Sequence, residues 1–344
     1  MFKFSRHSAC FCFIALWAPI VSCVEVAESA PQQRTADCSN SDTIEWSDHE
    51  GTIARLAQVY EREQFDQLES SLSCLLSPTR RFTSGRPGSS AIYGFFKMKL
   101  PGPGVELAEG ERISRWTRVF PNSKFVRFAE ARFTYAKAWN TRGGSFAKDV
   151  SEESWKGFRD GLKNAEQLLI QAPVELRNTP ISQHLLLAIS QDSGQPIETR
   201  VALFREGIAR WPQYYGLYEN MLKRLVPKWG GSWDIVDQSI RTWSSQLSTE
   251  EGLSMYSRLY ARVLLDGANV EETMIQWPTM KASLADLVRR YPDSYNWSLA
   301  ASSACLFRDA VFFKYSMQHL PPNQVQPSAW FKSTNPESCA RLNL

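Results

Sequence analysis

The sequence predicts an all-α protein, a right-handed α-solenoid built from degenerate helix hairpins. Apolar residues recur at helical spacing along most of the chain, and no stretch shows the sustained period-two alternation of a half-buried strand. An aromatic residue followed by proline precedes a helical pattern three times, at Phe120-Pro121, Trp211-Pro212 and Tyr291-Pro292. These pairs are separated by roughly twice 40 residues, which fits a loose repeat of helix hairpins.

The first two predicted helices form a tetratricopeptide-like hairpin. Residues 53–60 and 65–76 each carry one apolar stripe, and Glu61-Arg62-Glu63 lies between them. Prolines and glycines in residues 78–88 then interrupt helicity. Further helices are predicted over residues 92–98, 107–119, 125–139, 151–169, 180–194, 196–208, 214–225, 235–243, 253–265, 274–288, 295–306 and 310–317.

Residues 211–233 contain the clearest turn signals in the chain. Pro227 ends one helix, Gly230-Gly231 permits a turn with positive φ, and Ser232 can cap the following helix. Ser248 and Glu251 have the spacing of a capping box, which predicts that Ser248 opens the helix that follows.

The N-terminus has the features of an export signal. A basic start precedes an apolar run over residues 9–21 that is too short to span a bilayer. Ile20-Val21-Ser22-Cys23 resembles a lipobox, so we expect a signal peptide at residues 1–22 and lipidation at Cys23. Ordinary cleavage after Ser29 is the alternative, and an uncleaved hydrophobic N-terminus is the third reading.

The expected organisation follows from this signal. A flexible tether should cover residues 23–47, a single helical-repeat domain residues 48–320, and an irregular tail residues 321–344. The protein should be exported to the periplasm. With lipid at Cys23 it would be anchored in the outer membrane, because no aspartate follows that cysteine.

Cysteine usage agrees with an oxidising compartment. Four cysteines remain once Cys10 and Cys12 leave with the signal and Cys23 is lipidated or removed, and an even number predicts two disulfides among three connectivities. We favour Cys38–Cys74 and Cys305–Cys339, each of which would tie a terminal segment to a nearby helix. The alternative is four unpaired thiols.

Composition and motifs exclude several function classes. The net charge is only +3 and no run of Lys or Arg exceeds two, which argues against a nucleic-acid partner. The chain lacks the motifs of serine hydrolases, P-loop proteins and zinc proteases, so no catalytic residue and no cofactor is predicted. His49, His184 and His319 are isolated in sequence, so no metal site is predicted, and His184 reads as a hydrogen-bonded residue at the core edge.

Two glycine-aromatic turns are the candidate binding site. They could form a concave surface where indoles and an arginine meet a partner. The other interpretation is purely structural, with glycines shaping turns and tryptophans filling hairpins. The candidate residues are Trp139, Arg142, Gly143, Gly144, Trp229, Gly230, Gly231 and Trp233.

The same turns carry a family resemblance. YAKAWNTRGG at residues 135–144, SEESWKGF at 151–158 and PKWGGSW at 227–233 resemble the signatures of a bacterial exported family of unknown function. The likeness covers roughly residues 53–243 and implies degenerate tetratricopeptide-like repeats without supplying an activity.

Two functions are compatible with this reading. The first is a non-enzymatic envelope protein whose helical-repeat surface binds another envelope protein or a peptide. The second is a protein that binds or processes cell-wall glycans with the aromatic and arginine side chains of the two turns. Because no reactive constellation is visible, the sequence favours the first.

Overall fold

A computed structural model describes residues 48–100, 104 and 106–341 of the chain. The predicted signal peptide at 1–22, Cys23 and Cys38 lie outside the described residues, as does the tether at 23–47. The described residues all belong to one compact unit.

Helices form nearly all of the regular structure, which confirms the all-α prediction. Within the described residues the only β feature is an isolated bridge between Arg81 and Pro87. The α-helices are α1 (His49–Glu61), α2 (Phe65–Leu76), α3 (Gly88–Lys99), α4 (Glu106–Val119), α5 (Lys124–Arg142), α6 (Glu152–Ile170), α7 (Val174–Arg177), α8 (Pro180–Asp192), α9 (Ile197–Arg210), α10 (Tyr215–Lys223), α11 (Trp233–Gln246), α12 (Ser248–Glu251), α13 (Ser254–Leu265), α14 (Trp277–Arg290), α15 (Ser294–Leu306), α16 (Ala310–Met317) and α17 (Pro336–Arg341).

Side-chain caps explain several of these helix starts. The hydroxyl of Ser151 accepts a hydrogen bond from the backbone N–H of Ser154, and the Ser232 hydroxyl accepts one from Ile235. Each satisfies a backbone donor that the first turn of a helix leaves unpaired. The cap predicted at Ser232 is therefore confirmed.

The capping box predicted at Ser248 is wrong. Ser248 begins the single-turn helix α12, which ends at Glu251 and is followed by Gly252 with φ of +58°, and α13 starts only at Ser254. Glu251 does not turn back to cap a helix. Its carboxylate is completely buried and meets side chains from distant parts of the chain.

Two apolar cores lie on either side of α8. Helices α1–α8 enclose the first core, in which Leu185 and Ile189 of α8 are buried. The second core extends from α8 to the C-terminal segment and includes Leu187. Alternate faces of α8 thus serve both cores, which accounts for the near-continuous apolar sequence of that helix.

The segment between α2 and α3, residues 77–87, crosses to the C-terminal half of the molecule. We call it the 77–87 loop. Arg81 of this loop lies beside Tyr215 of α10, and the Ser84 carbonyl oxygen accepts from Arg258 of α13. This loop therefore covers part of the surface that α10, α13 and α15 present.

A disulfide fixes the C-terminal segment. Cys305 in α15 is bonded to Cys339 in α17, with 5.7 Å between the Cα atoms, as predicted. Trp330 and Phe331 are buried against the second core and anchor this segment. The segment from residue 321 onward was predicted to be irregular, but residues Pro336–Arg341 are helical.

Removing this disulfide should destabilise the fold. The bridge closes a loop with a sequence separation of 34 residues. We expect Cys305→Ala/Cys339→Ala to lower the free energy of unfolding by about 3–4 kcal/mol, because the unfolded chain regains loop entropy. Urea denaturation of the variant and of wild type with and without reductant provides the measurement. Equal midpoints for all three would contradict the expectation.

Candidate functional site

The second glycine turn exposes a tryptophan. A single 3₁₀ turn, Pro227–Trp229, ends at Gly230, whose φ of +88° lies in the left-handed region that favours glycine. The Trp229 side chain is 47% exposed, so this indole does not fill a hairpin. The Gly230-Gly231 turn leads directly into the capped start of α11 at Trp233, a residue that packs partly buried against the second core.

Gly231 has a different role from Gly230. Its φ is not positive, but a Cβ atom added there would lie 1.8 Å from the Leu225 carbonyl oxygen. The backbone passes so close to itself that no side chain fits. The sequence predicted the need for glycine in this turn, and the close approach at Gly231 is a second reason for it.

A salt bridge holds the exposed indole in place. The Arg224 guanidinium lies over the Trp229 ring, 4.6 Å from its centroid, and forms an ion pair with Asp192. The Asp192 side chain is only 4% exposed. Because the carboxylate is buried and shared, Arg224 is held at one orientation over the indole.

The same carboxylate reaches the first turn. The Trp139 indole N–H donates to Asp192 at 3.0 Å, and the Tyr135 hydroxyl donates to it at 2.5 Å. Burial, followed by the Asp192 charge, raises the pKa of Tyr135 well above its usual value, so the phenol stays protonated. Asp192 therefore connects both candidate turns. We call Tyr135, Trp139, Asp192, Arg224 and Trp229 the Asp192 network.

Sequence patterns did not identify Asp192 or Arg224. One signal was present: Asp192 is the last residue of α8, where an acidic side chain opposes the helix dipole. An acid in that position needs a cation nearby, and Arg224 provides it.

Arg142 belongs to the first turn alone. Its guanidinium donates to the carbonyl oxygens of Gly143 and Ser145 at 3.0 and 3.2 Å, and lies over the rings of Trp139 and Trp155. Among the described residues its ring contacts do not include Trp229. The structure thus links the two turns through Asp192, not through a pocket centred on Arg142.

The glycines of the first turn are less constrained than those of the second. Gly143 has φ of +76°, whereas Gly144 has no atom within 4 Å of an added Cβ. The two turns therefore share a sequence pattern but not a steric requirement.

A stack of polar aromatic rings lies near the Asp192 network. The rings of Tyr93 and His184 are parallel, with centroids 3.7 Å apart, and the His184 Nδ1 atom is 3.2 Å from the Tyr214 hydroxyl. Burial, with smaller contributions from Lys97 and Arg132, lowers the pKa of His184 to about 3. The imidazole is therefore neutral at physiological pH.

The 77–87 loop is bound through its backbone. Arg258 and Asn296 donate to the Ser84 carbonyl oxygen at 2.7 and 3.2 Å, and the Tyr215 hydroxyl donates to the Gly85 oxygen at 3.3 Å. Gly85 has φ of +82°, and an added Cβ would lie 2.6 Å from Arg258 Nη2. Side chains of α10, α13 and α15 thus recognise a non-helical chain segment.

The buried carboxylate of Glu251 stabilises this arrangement through contacts with three side chains. Its carboxylate accepts from Gln213 and Tyr291, both at 3.2 Å, and lies 3.5 Å from the Arg81 guanidinium. Arg81 in turn donates to the Gly85 carbonyl oxygen at 2.7 Å. A single buried acid in α12 therefore joins the loop to the residue that follows α14 and to the turn before α10.

Comparisons with known proteins add no relative. Neither a family model, nor a curated protein, nor a solved structure matches the chain. Among the described residues no group of histidine, cysteine or acidic side chains has the arrangement of a metal site. The geometry of the site is therefore the basis for any functional proposal.

Proposed function

We propose that this chain is a non-enzymatic envelope protein that binds a protein or peptide partner through its helical surface. The observation that carries the proposal is the exposed Trp229, fixed by Arg224 and the buried Asp192. Tryptophan and arginine are the residue types most enriched at interface hot spots. An exposed indole held in one place loses little further conformational freedom when a partner covers it.

A right-handed α-solenoid is the architecture we propose for this scaffold. Consecutive helices pack as pairs, among them α1 with α2, α5 with α6 and α13 with α14. Stacked hairpins of this type leave a long surface on which each helix pair contributes a few contacts. The proposed partner would use the part of this surface that contains the Asp192 network.

Glycan binding is the weaker alternative. A sugar ring binds tryptophan by stacking on an open ring face. Arg224 lies over Trp229, and Arg142 lies over both Trp139 and Trp155. Arginine thus already lies over a face of each of these indoles and takes up a face on which a sugar ring would stack. This arrangement favours a protein or peptide partner that contacts the indole edges and the arginine side chains at the same time.

Trp229→Ala tests the proposed surface. Because the indole is largely exposed, we expect the free energy of unfolding to change by less than about 1 kcal/mol. Recovery of a crosslinked partner from the native envelope should fall strongly. Tyr315→Ala is the matched control, since this residue of α16 is 48% exposed and its ring contacts, Trp297, Phe312 and His319, do not belong to the Asp192 network.

Two outcomes would contradict the proposal. The first is equal partner recovery by Trp229→Ala and wild type. The second is an equal loss of partner recovery with Tyr315→Ala, which would show that the assay reports nonspecific association through exposed aromatic side chains. Stabilisation by peptidoglycan fragments that requires Trp229 would favour the glycan alternative instead.

Export to the periplasm and a lipid anchor at Cys23 complete the proposal. The Cys305–Cys339 bridge supports an oxidising compartment, since disulfides persist there. No helix of the described part is long and apolar enough to cross a bilayer. Mass spectrometry of the mature N-terminal peptide distinguishes a lipidated Cys23 from cleavage after Ser29, and an intact leader would refute both.

A further inference from the structure

Cations of the 77–87 loop and of several helices lie near one another. Arg86 at the end of the loop lies 3.8 Å from Glu219 of α10. Lys97 of α3, Arg132 of α5 and Lys223 of α10 follow. Lys97 and Arg132 act on the His184 ring, which stacks on Tyr93. We call Lys97, Arg132 and Lys223, together with Tyr93 and His184, the cationic cleft.

Arg132 is the unusual member of the cleft. Its side chain is buried, with the residue 6% exposed, and its Nε and Nη1 atoms have no hydrogen-bond partner. The guanidinium lies 5.0 Å from the centroid of the Tyr135 ring. A buried cation normally has a carboxylate or several acceptors around it, because leaving its donors unpaired is costly. Arg132 therefore has hydrogen-bonding capacity that the described residues do not use.

Lys97 and Lys223 add positive charge without an acidic partner. Both side chains are exposed, and neither forms an ion pair within the described part of the chain. Although Lys97 is exposed, surrounding protein partly desolvates its ammonium group. This burial and the charges of Arg262 and Lys223 lower the pKa of Lys97. The Asp266 carboxylate offsets part of this effect, so positive charge at the cleft exceeds negative charge without being free of it.

Neighbouring arginines show which kind of partner a cation in this region binds. Arg86 is paired with Glu219, Arg262 with Asp266, and Arg224 with Asp192. Each arginine around the cleft that has a partner is bonded to a carboxylate. A carboxylate supplied from outside would give Arg132 the same kind of partner, in the charge-assisted geometry that guanidinium groups favour.

We propose that the cationic cleft binds a carboxylate group of an acidic peptide segment. Arg132 would be the buried contact, Lys97 and Lys223 would attract and flank the carboxylate, and the neutral His184 beside Tyr93 would form an uncharged wall. This inference rests on the proposed function, because it names the chemistry of the peptide partner. It goes beyond that function by placing recognition on α3, α5 and α10.

Binding of a labelled hexaglutamate peptide tests the inference. We expect fluorescence anisotropy at low salt to detect binding of hexaglutamate and none of hexaglutamine. Lys97→Gln and Lys223→Gln should each weaken the affinity about tenfold, the usual effect of losing one contact to a charged group. Because both lysines are exposed, neither variant should perturb folding.

Lys163→Gln provides the matched control. Lys163 is an exposed lysine on α6, a helix that carries no residue of the cleft. Its substitution removes the same charge and should leave the affinity unchanged. Absence of hexaglutamate binding, or equal losses for Lys97→Gln and Lys163→Gln, would overturn the inference.

Failure here is separable from failure of the proposed function. Trp229-dependent recovery of an envelope partner, with no hexaglutamate binding, would remove the acidic-peptide inference and leave the partner-binding proposal intact. Equal partner recovery by Trp229→Ala and wild type, with specific hexaglutamate binding, would remove the partner-binding surface at Trp229 and leave the acidic-peptide inference intact.

Discussion

Glu251→Ala is expected to lower the free energy of unfolding by about 3–5 kcal/mol, the usual cost of removing one partner from a buried charged pair. Glu251 is fully buried, and its carboxylate meets Arg81, Gln213 and Tyr291. After the substitution the Arg81 guanidinium loses its counter-charge, and the Gln213 and Tyr291 donors lose their acceptor. Urea denaturation followed by circular dichroism would measure the change.

The effect of Glu251→Ala should also be localised to the 77–87 loop. Hydrogen exchange in the 77–87 loop should rise in Glu251→Ala, because Arg81 then has no buried acid to hold it near Gly85. Glu250→Ala removes an exposed acid one residue earlier and should change stability by less than about 0.5 kcal/mol. Equal stabilities of the two variants would show that Glu251 does not anchor the loop.

Helices were predictable because their signals are local. The apolar stripe of α6 and the cap at Ser232 can be read from neighbouring residues. The 77–87 loop could not be placed in this way. Its contacts join Ser84 to Asn296, and Gly85 to Tyr215, across more than a hundred residues, and hydrogen bonds to a backbone oxygen leave no side-chain pattern in the acceptor segment.

The candidate site was half predictable for the same reason. Trp229 and Gly230 stand out because aromatic residues beside glycines mark turns. Asp192 and Arg224 are ordinary charged residues at helix ends, and only the fold brings them together under Trp139 and Trp229. The capping box at Ser248 failed because burial of Glu251 among distant donors outweighs a local cap.

Gly231→Ala is expected to destabilise the protein by about 3 kcal/mol or more, at the upper end of the cost of inserting a methyl group into filled space. The added Cβ would lie 1.8 Å from the Leu225 carbonyl oxygen and 2.4 Å from the Leu225 carbonyl carbon. Both are backbone atoms, so the clash cannot be relieved by rotating a side chain. Relief requires moving the end of α10 or the start of α11.

The neighbouring glycines provide a graded control for this effect. Gly230→Ala should cost only about 1–2 kcal/mol, because its φ of +88° is strained for alanine while an added Cβ has no neighbour within 4 Å. Gly144→Ala, in the first turn, has neither problem and should change stability by less than about 0.5 kcal/mol. Thermal and urea unfolding should therefore show the lowest stability for Gly231→Ala, an intermediate stability for Gly230→Ala and the highest stability for Gly144→Ala. If Gly231→Ala were as stable as Gly144→Ala, the backbone would not pass Leu225 as closely as described. The described conformation of the whole second turn would then be wrong, including the placement of Trp229 beside Arg224.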